Sequence, residues 1–133
     1  KRLVIEYKGW KICPMICYDL RFPVFARNDV DYDLLLFVAN WPNTRISAWD
    51  VLLKARAIEN QAYVIGLNRV GTDGFNAQYP GHSQVLDPEG DCISMAPEYE
   101  VGLVEVTLSK NYLIECRKRH PFLSDRDTFT ITD

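Results

Sequence analysis

Residues 12–23 read Ile12-Cys13-Pro14-Met15-Ile16-Cys17-Tyr18-Asp19-Leu20-Arg21-Phe22-Pro23. The apolar start of this stretch predicts a strand over 11–16 that ends at Cys17. Pro23 fits the first turn of a short helix predicted over 22–29, and Asp19 is a candidate cap for it. A side chain at such a strand–turn–helix junction is exposed beside free backbone N–H groups. The stretch therefore makes Cys17 a candidate nucleophile and the Tyr18 N–H a candidate donor to an oxyanion, although a free cysteine is more often a small buried hydrophobe.

Strands and helices alternate around this stretch. A strand predicted over 2–7 turns through Lys8-Gly9-Trp10 into the strand at 11–16. The apolar runs 34–39 and 63–67 are typical of parallel strands buried on both faces, and apolar residues at helical spacing predict a helix over 46–60 between them. This order predicts an α/β domain.

The second part of the chain has a different pattern. After a loop at 71–74, strands predicted over 82–86 and 91–95 flank the turn Asp87-Pro88-Glu89-Gly90. Residues 101–108 alternate apolar and polar side chains, which predicts a further strand. Ser109 is then expected to cap a helix over 110–118, and the tail 120–133 is predicted to be irregular.

Composition excludes several classes of function. The 133 residues carry a net charge of −3, with 47% hydrophobic and 25% charged residues, as in an ordinary globular domain. This charge gives no reason to expect a nucleic acid or an anionic membrane as partner. The apolar runs are too short to span a bilayer, and no signal peptide opens the chain. The first residue, Lys1, is not methionine, so we expect a piece of a longer protein.

The chain has four cysteines. Without a secretory context, they favour a reducing cytoplasm over disulfides. Cys13 and Cys17 lie four apart on the predicted strand and are expected on one face. The chain has no Cys-x-x-Cys motif, and both histidines are distant in sequence, so no metal site is expected.

Further motifs extend the pattern, namely Val38-Ala39-Asn40-Trp41-Pro42, Lys54-Ala55-Arg56-Ala57-Ile58-Glu59-Asn60-Gln61-Ala62-Tyr63-Val64, Asn68-Arg69-Val70-Gly71 and Gly81-His82-Ser83 before Asp87-Pro88-Glu89-Gly90. Together with residues 17–23 they resemble the signatures of the nitrilase superfamily, the carbon–nitrogen hydrolases, in that family's order and across residues 3–127. The motifs at Cys17 and Asn40 are most similar to those of bacterial ω-amidases, which hydrolyse the side-chain amide of 2-oxoglutaramate or 2-oxosuccinamate.

The resemblance implies an α-β-β-α sandwich of two similar halves, of which residues 1–133 form the second, C-terminal half. The family's catalytic glutamate and lysine belong to the first half, and no motif here supplies either. Lys8 and Lys11 lie in the hairpin that leads to Cys17 and are not candidates. The chain alone is therefore expected to be inactive.

The implied reaction needs no cofactor or metal. Cys17 would attack a carboxamide of a small-molecule substrate, ammonia would leave, and water would hydrolyse the thioester. The resemblance also implies self-association into a homo-oligomer, or association with the missing N-terminal half.

Three other residues are candidates for substrate binding. Asn40 and Trp41 follow a buried strand, at the edge where open α/β sheets bind ligands. Arg45 could bind a substrate carboxylate through its fork of donors, although an exposed loop arginine is the alternative.

Four polar residues are interpreted as structural neighbours of the site. Asp19 and Arg21 either pair with each other or cap the helix and so support the turn after Cys17. Arg56 and Glu59 are three apart on one helix face and are expected to form an ion pair.

Three alternatives stay open. The parent enzyme could belong to another family branch, such as the carbamoylases, β-ureidopropionases or nitrilases. The chain could be a non-catalytic half-domain that acts by association, since a sheet covered on one face leaves an apolar patch. Lastly, Cys17 could pair with His82 in a complete cysteine hydrolase.

Overall fold

The computed structural model describes residues 2–132, so Lys1 and Asp133, the two ends of the predicted 1–133 unit, lie outside the described residues. Along this part of the chain the elements are β1 (Ile5–Tyr7), β2 (Trp10–Ile16), α1 (Pro23–Ala26), β3 (Leu34–Ala39), α2 (Ile46–Asn60), β4 (Tyr63–Asn68), β5 (Val70–Thr72), β6 (Gln78–Pro80), β7 (Gln84–Leu86), β8 (Cys92–Met95) and α3 (Lys110–Arg119). Short 3-10 turns cover Cys17–Arg21, Asn43–Arg45 and Phe122–Asp125. The α/β class predicted from the sequence is confirmed.

The main sheet has six strands in the order β1-β2-β3-β4-β7-β8. Its centre is parallel: β2 pairs with β3 and β3 with β4, whereas β1, β7 and β8 are antiparallel to their neighbours. The register pairs Ile16 with Val38 and Ala39 with Asn68. The carboxyl ends of the three parallel strands therefore lie side by side, and the prediction of parallel strands at 34–39 and 63–67 is confirmed.

One face of the sheet packs against α2. Trp49 and Leu53 of this helix are fully buried in a core that includes Phe37. Gly66 on β4 permits the close approach, because a Cβ atom there would lie 2.5 Å from Leu53 Cδ1 and 2.7 Å from Trp49 Cζ2. The helix ends at Gln61, whose φ of 42° is a left-handed cap. The predicted helix over 46–60 is confirmed.

The opposite face is covered only in part. Leu34 and Tyr63 pack with Leu113 of α3 at the amino ends of β3 and β4. Further along the same strands, Val38 is 53% exposed and Leu67 is 47% exposed. The expected burial of both strands on both faces is therefore limited to their amino ends.

The helix predicted after Ser109 is confirmed. The Ser109 side chain accepts the backbone N–H of Tyr112 at 3.1 Å, which makes it the N-cap of α3. Three basic residues in the last turn complement the helix dipole.

The strand predicted over 101–108 is wrong. These residues have no strand structure, and Val101 and Leu103 are 92% and 87% exposed. Alternation is not sufficient for a strand, because the backbone groups also need a neighbouring strand to pair with.

Other boundaries also differ from the sequence prediction. The first strand begins at Ile5 rather than at residue 2, and α1 spans only Pro23–Ala26. β7 begins at Gln84 because His82 has a φ of 56°, which is not an extended conformation. Residues 71–74, predicted as a loop, partly belong to the β5–β6 hairpin, whose turn is held by the Asp73 carboxylate.

Candidate active site

Cys17 lies at the point where β2 ends. It is the first residue of the 3-10 turn, is partly buried, and has a φ of 40°. A non-glycine residue in this left-handed region is strained and is typical of a nucleophile presented on a sharp turn. The expectation that Cys13 and Cys17 share one strand face is wrong, because Cys17 has already left the strand. Cys13 is fully buried, and this burial raises the pKa of its thiol.

Two contacts hold the turn that carries Cys17. Asp19 Oδ2 accepts the backbone N–H of Ile16 at 2.9 Å, so this bond connects the residues on either side of Cys17. Arg56 Nη2 donates to the Leu20 carbonyl at 2.6 Å from outside it. Asp19 thus supports the turn after Cys17 as predicted, but it does not cap α1, whose N-cap is Phe22.

Tyr18 and Arg21, on either side of Asp19 in the sequence, each contact an aromatic ring. Tyr18 is 66% exposed, and its ring meets that of Phe22 edge to face at 5.2 Å. Its backbone N–H is the second in the turn, where a helical start leaves donors free of partners within the helix. Arg21 does not pair with Asp19. Its guanidinium lies over the Trp41 ring, 4.8 Å from the centroid.

Asn40, Trp41 and Arg45 lie at the same edge of the sheet as Cys17. Asn40 and Arg45 are exposed, whereas Trp41 is 3% exposed. The Trp41 Nε1–H donates to the Arg45 carbonyl at 2.7 Å. Asn40 and Arg45 thus follow the carboxyl end of β3, next to the strand end that leads into Cys17, and the Trp41 ring belongs to the core.

Asn68 connects several backbone groups at this edge; it belongs to one of the sequence motifs, but the sequence predicted no role for it. Its Oδ1 accepts the Trp41 N–H at 2.7 Å, and its Nδ2 donates to the Trp41 and Gly81 carbonyls at 2.9 and 2.7 Å. Ser83 Oγ accepts the Asn68 N–H at 2.9 Å. The available signal was a polar residue at the end of a buried strand, the same argument that indicated Asn40.

Arg56 and Glu59 form the predicted ion pair, with 2.8 Å between Nη1 and Oε1. The Arg56 side chain is 3% exposed and that of Glu59 is 36% exposed. The contact with the Leu20 carbonyl places the Arg56 side chain against the turn of Cys17.

His82 does not face Cys17. Its Nδ1 lies 3.0 Å from Asp50 Oδ2 on α2, and its Nε2 lies 3.0 Å from Glu98 Oε1. Both ring nitrogens are thus occupied by carboxylates, and the alternative of a Cys17–His82 pair is wrong. Across residues 2–132 no acid or base makes a hydrogen bond with the Cys17 thiol, and no cluster of His, Cys, Asp and Glu there could hold a metal ion.

A cavity of about 760 Å³ lies over the uncovered part of the sheet. Val38, Asn40, Leu67 and Asn68 form its floor, and residues 100–106 form its other wall. Cys17 is not part of this lining; its side chain is partly buried and packs against the core that contains Trp41. None of the helices in residues 2–132 has the length and apolar character needed to cross a membrane.

Comparisons with known proteins agree with this geometry. The model of the carbon–nitrogen hydrolase family matches residues 2–118. A crystal structure of a CN-hydrolase superfamily protein from Xanthomonas campestris, with an arsenic adduct in its active site, superposes with a TM-score of 0.96 at 47% identity and covers 99% of this chain and 52% of that one.

Two curated relatives carry named activities. Omega-amidase YafV of Escherichia coli is 49% identical over 130 residues, which are 98% of this chain and 51% of the relative. A 2-oxoglutaramate amidase of Paenarthrobacter nicotinovorans is 42% identical over 112 residues, which are 83% of this chain and 37% of the relative. The chain thus spans about half the length of the first relative and little more than a third of the second.

Proposed function

Because this chain belongs to the carbon–nitrogen hydrolase family, we propose that it is the nucleophile-bearing half of an amidase. The observation that carries the proposal is the position of Cys17, strained at φ 40° on a braced turn at the carboxyl end of β2. A thiol held in this way can attack a substrate that approaches the sheet edge, with the Tyr18 N–H beside it as a donor.

The proposed reaction is the hydrolysis of a carboxamide. The Cys17 thiolate adds to the amide carbon, and the resulting oxyanion accepts the Tyr18 N–H. The C–N bond then breaks, and a proton transferred from a general acid lets the nitrogen leave as ammonia. Water hydrolyses the thioester, which releases the carboxylic acid and restores the thiol.

No described acid or base is hydrogen-bonded to the thiol, which supports a general base and an oxyanion cation that come from outside residues 2–132. We propose that they lie in the part of the polypeptide that this chain lacks relative to its relatives. Removal of one oxyanion donor costs about two to three powers of ten in rate, so the 133-residue chain alone should be inactive.

The names of the relatives support a 2-oxo acid ω-amide as the substrate. Such a substrate carries a carboxylate, and Arg45 is an exposed cation at the same sheet edge as Cys17 and Asn40. A charged hydrogen bond is worth about 1.5–3 kcal/mol, so Arg45→Ala should lower kcat/KM for 2-oxoglutaramate by about 10- to 100-fold. An uncharged amide such as butyramide should be hydrolysed with unchanged kcat/KM.

The uncovered sheet face supports association of this chain with the remainder of the domain. Ile16 is 72% exposed beside the half-exposed Val38 and Leu67, and exposed apolar patches of this kind mark interaction surfaces. This observation equally favours the second candidate function, a half-domain that acts only by association. Light scattering, which measures the mass of the isolated chain in solution, tests both candidates. A stable monomer would contradict the amidase half and the associating half-domain alike, because both need a partner on the uncovered sheet face.

Ammonia release from 2-oxoglutaramate tests the function. The assay compares the 133-residue chain with the longer polypeptide that contains it, each with Cys17→Ala and with Cys13→Ala as matched control, because Cys13 is a buried cysteine on β2, the strand that leads into Cys17. We expect release only from the longer polypeptide and only with Cys17 present. Release by the longer polypeptide after Cys17→Ala would overturn the proposal, and Cys17-dependent release by the short chain would overturn the assignment of the base and cation.

The four cysteines are free in the structure. We propose the cytoplasm as the location, because free thiols persist in its reducing environment. Fractionation of the source cells with an antibody against the chain tests this.

A further inference from the structure

Arg56 is buried at a cost that its contacts only partly offset. Its side chain is 3% exposed in the middle of α2, and its Nε has no hydrogen-bond partner among the described residues. A buried charge is expensive unless it is paired and fully hydrogen-bonded, and apolar residues often replace buried ion pairs without loss of stability. Core packing alone therefore gives little reason for an arginine at this position.

The contact that Arg56 makes outside its own helix is with the turn of Cys17. Nη2 donates to the carbonyl of Leu20 at 2.6 Å, three residues after the nucleophile, and Leu20 is itself fully buried. Nη1 is held by Glu59 at 2.8 Å. The two arms of one planar group thus join the rigid helix to the turn, which is a geometry that a lysine ammonium does not reproduce.

The turn needs such a contact because its backbone is strained. Cys17 has a φ of 40°, and a strained conformation persists only where its surroundings over-determine it. Asp19 braces the turn from within, through the Ile16 N–H. Arg56, on α2, adds a second contact through the Leu20 carbonyl.

We infer that Arg56 is a positioning residue for the nucleophile, an inference that rests on the proposed function of Cys17. By fixing the Leu20 carbonyl, Arg56 sets the direction of the Cys17 thiol and of the adjacent Tyr18 N–H. Glu59 acts one step further away, by orienting the guanidinium. Misplacement of a reacting group by about 1 Å costs about a hundredfold in rate.

The experiment measures kcat and KM with 2-oxoglutaramate in the longer polypeptide that contains this chain, for Arg56→Met, Arg56→Lys and Glu59→Gln. Arg27→Met is the matched control, because the Arg27 guanidinium also donates to a backbone carbonyl, that of Glu59, but forms no hydrogen bond with residues 17–21. The urea midpoint of each variant reports its stability.

We expect kcat to fall about a hundredfold in Arg56→Met, with KM changed less than threefold. Arg56→Lys, which keeps the charge but loses the fork, should lose at least tenfold in kcat, and Glu59→Gln less than tenfold because its oxygen can still accept from Nη1. Arg27→Met should keep its kcat even where its urea midpoint falls. If Arg56→Met does not fold, the loss of kcat in a folded Arg56→Lys decides the test.

Three results would contradict different parts of the argument. Folded Arg56→Met or Arg56→Lys with kcat within threefold of the parent would overturn the positioning role and leave the proposed function intact. Ammonia release that survives Cys17→Ala in the same assay would instead overturn the proposed function. Equal losses of kcat in Arg27→Met and Arg56→Met would show a general loss of stability and so overturn the positioning role.

Discussion

Replacement of Gly66 by alanine should destabilise the fold through a single methyl group. The new Cβ would lie 2.5 Å from Leu53 Cδ1 and 2.7 Å from Trp49 Cζ2. Carbon atoms in contact are about 3.5–4.0 Å apart, so α2 and the sheet would have to separate by about 1 Å or the two side chains leave their rotamers. Overpacking of this kind costs about 1–3 kcal/mol.

The assay is urea unfolding followed by tryptophan fluorescence, with Trp49 at the site of the clash. At an m value of about 2 kcal/mol per molar, a loss of about 2 kcal/mol lowers the midpoint by about 1 M. Gly102→Ala is the control, because a Cβ atom there meets nothing within 4 Å and should change stability by less than about 0.5 kcal/mol. Equal midpoints for the two variants would refute the close-packing argument.

Three further predictions concern the caps and turns. Ser109→Ala removes the N-cap of α3 and should cost about 1 kcal/mol in urea unfolding, whereas Ser109→Asp should not; equal losses would contradict the cap. Hydrogen bonds from the Tyr79 hydroxyl and two backbone N–H groups hold the pKa of Asp73 below its ordinary value. The stability that this carboxylate contributes is therefore present above the unfolded pKa of about 4 and is lost as pH falls through the folded pKa, so Asp73→Asn should flatten the acid side of the unfolding free energy, and an unchanged acid profile would argue against it. Asn68→Ala leaves both Trp41 backbone groups without their partner and should cost about 1–3 kcal/mol, with faster hydrogen exchange at the Trp41 amide; unchanged protection of that amide would speak against it.

The sequence was sufficient where local pattern determines structure. The apolar runs at 34–39 and 63–67 and the helical spacing at 46–60 predicted two parallel strands and the helix between them, because burial selects the same residues that the pattern displays. Ser109 was predicted as a cap for a similarly local reason, since its partner lies three residues away.

The sequence was insufficient where distant residues decide the outcome. Residues 101–108 have the alternation of a strand, but pairing depends on a free neighbouring strand, which local sequence does not report. The contact of His82 with Asp50 joins residues 32 apart, and that of Arg56 with Leu20 joins residues 36 apart. The family resemblance indicated Cys17 as the nucleophile, but the bracing of its turn became visible only in three dimensions.

The left-handed backbone conformation of Cys17 lowers the stability of the fold, whereas the proposed reaction requires a thiol at this same position. A cysteine in this conformation costs about 1–3 kcal/mol, which a glycine would largely avoid. Libraries of this protein selected only for heat resistance or expression should therefore enrich Cys17→Gly and discard the thiol without any penalty that the selection can detect. Any programme to stabilise a parent enzyme would have to keep this residue fixed and seek its gains elsewhere in the fold.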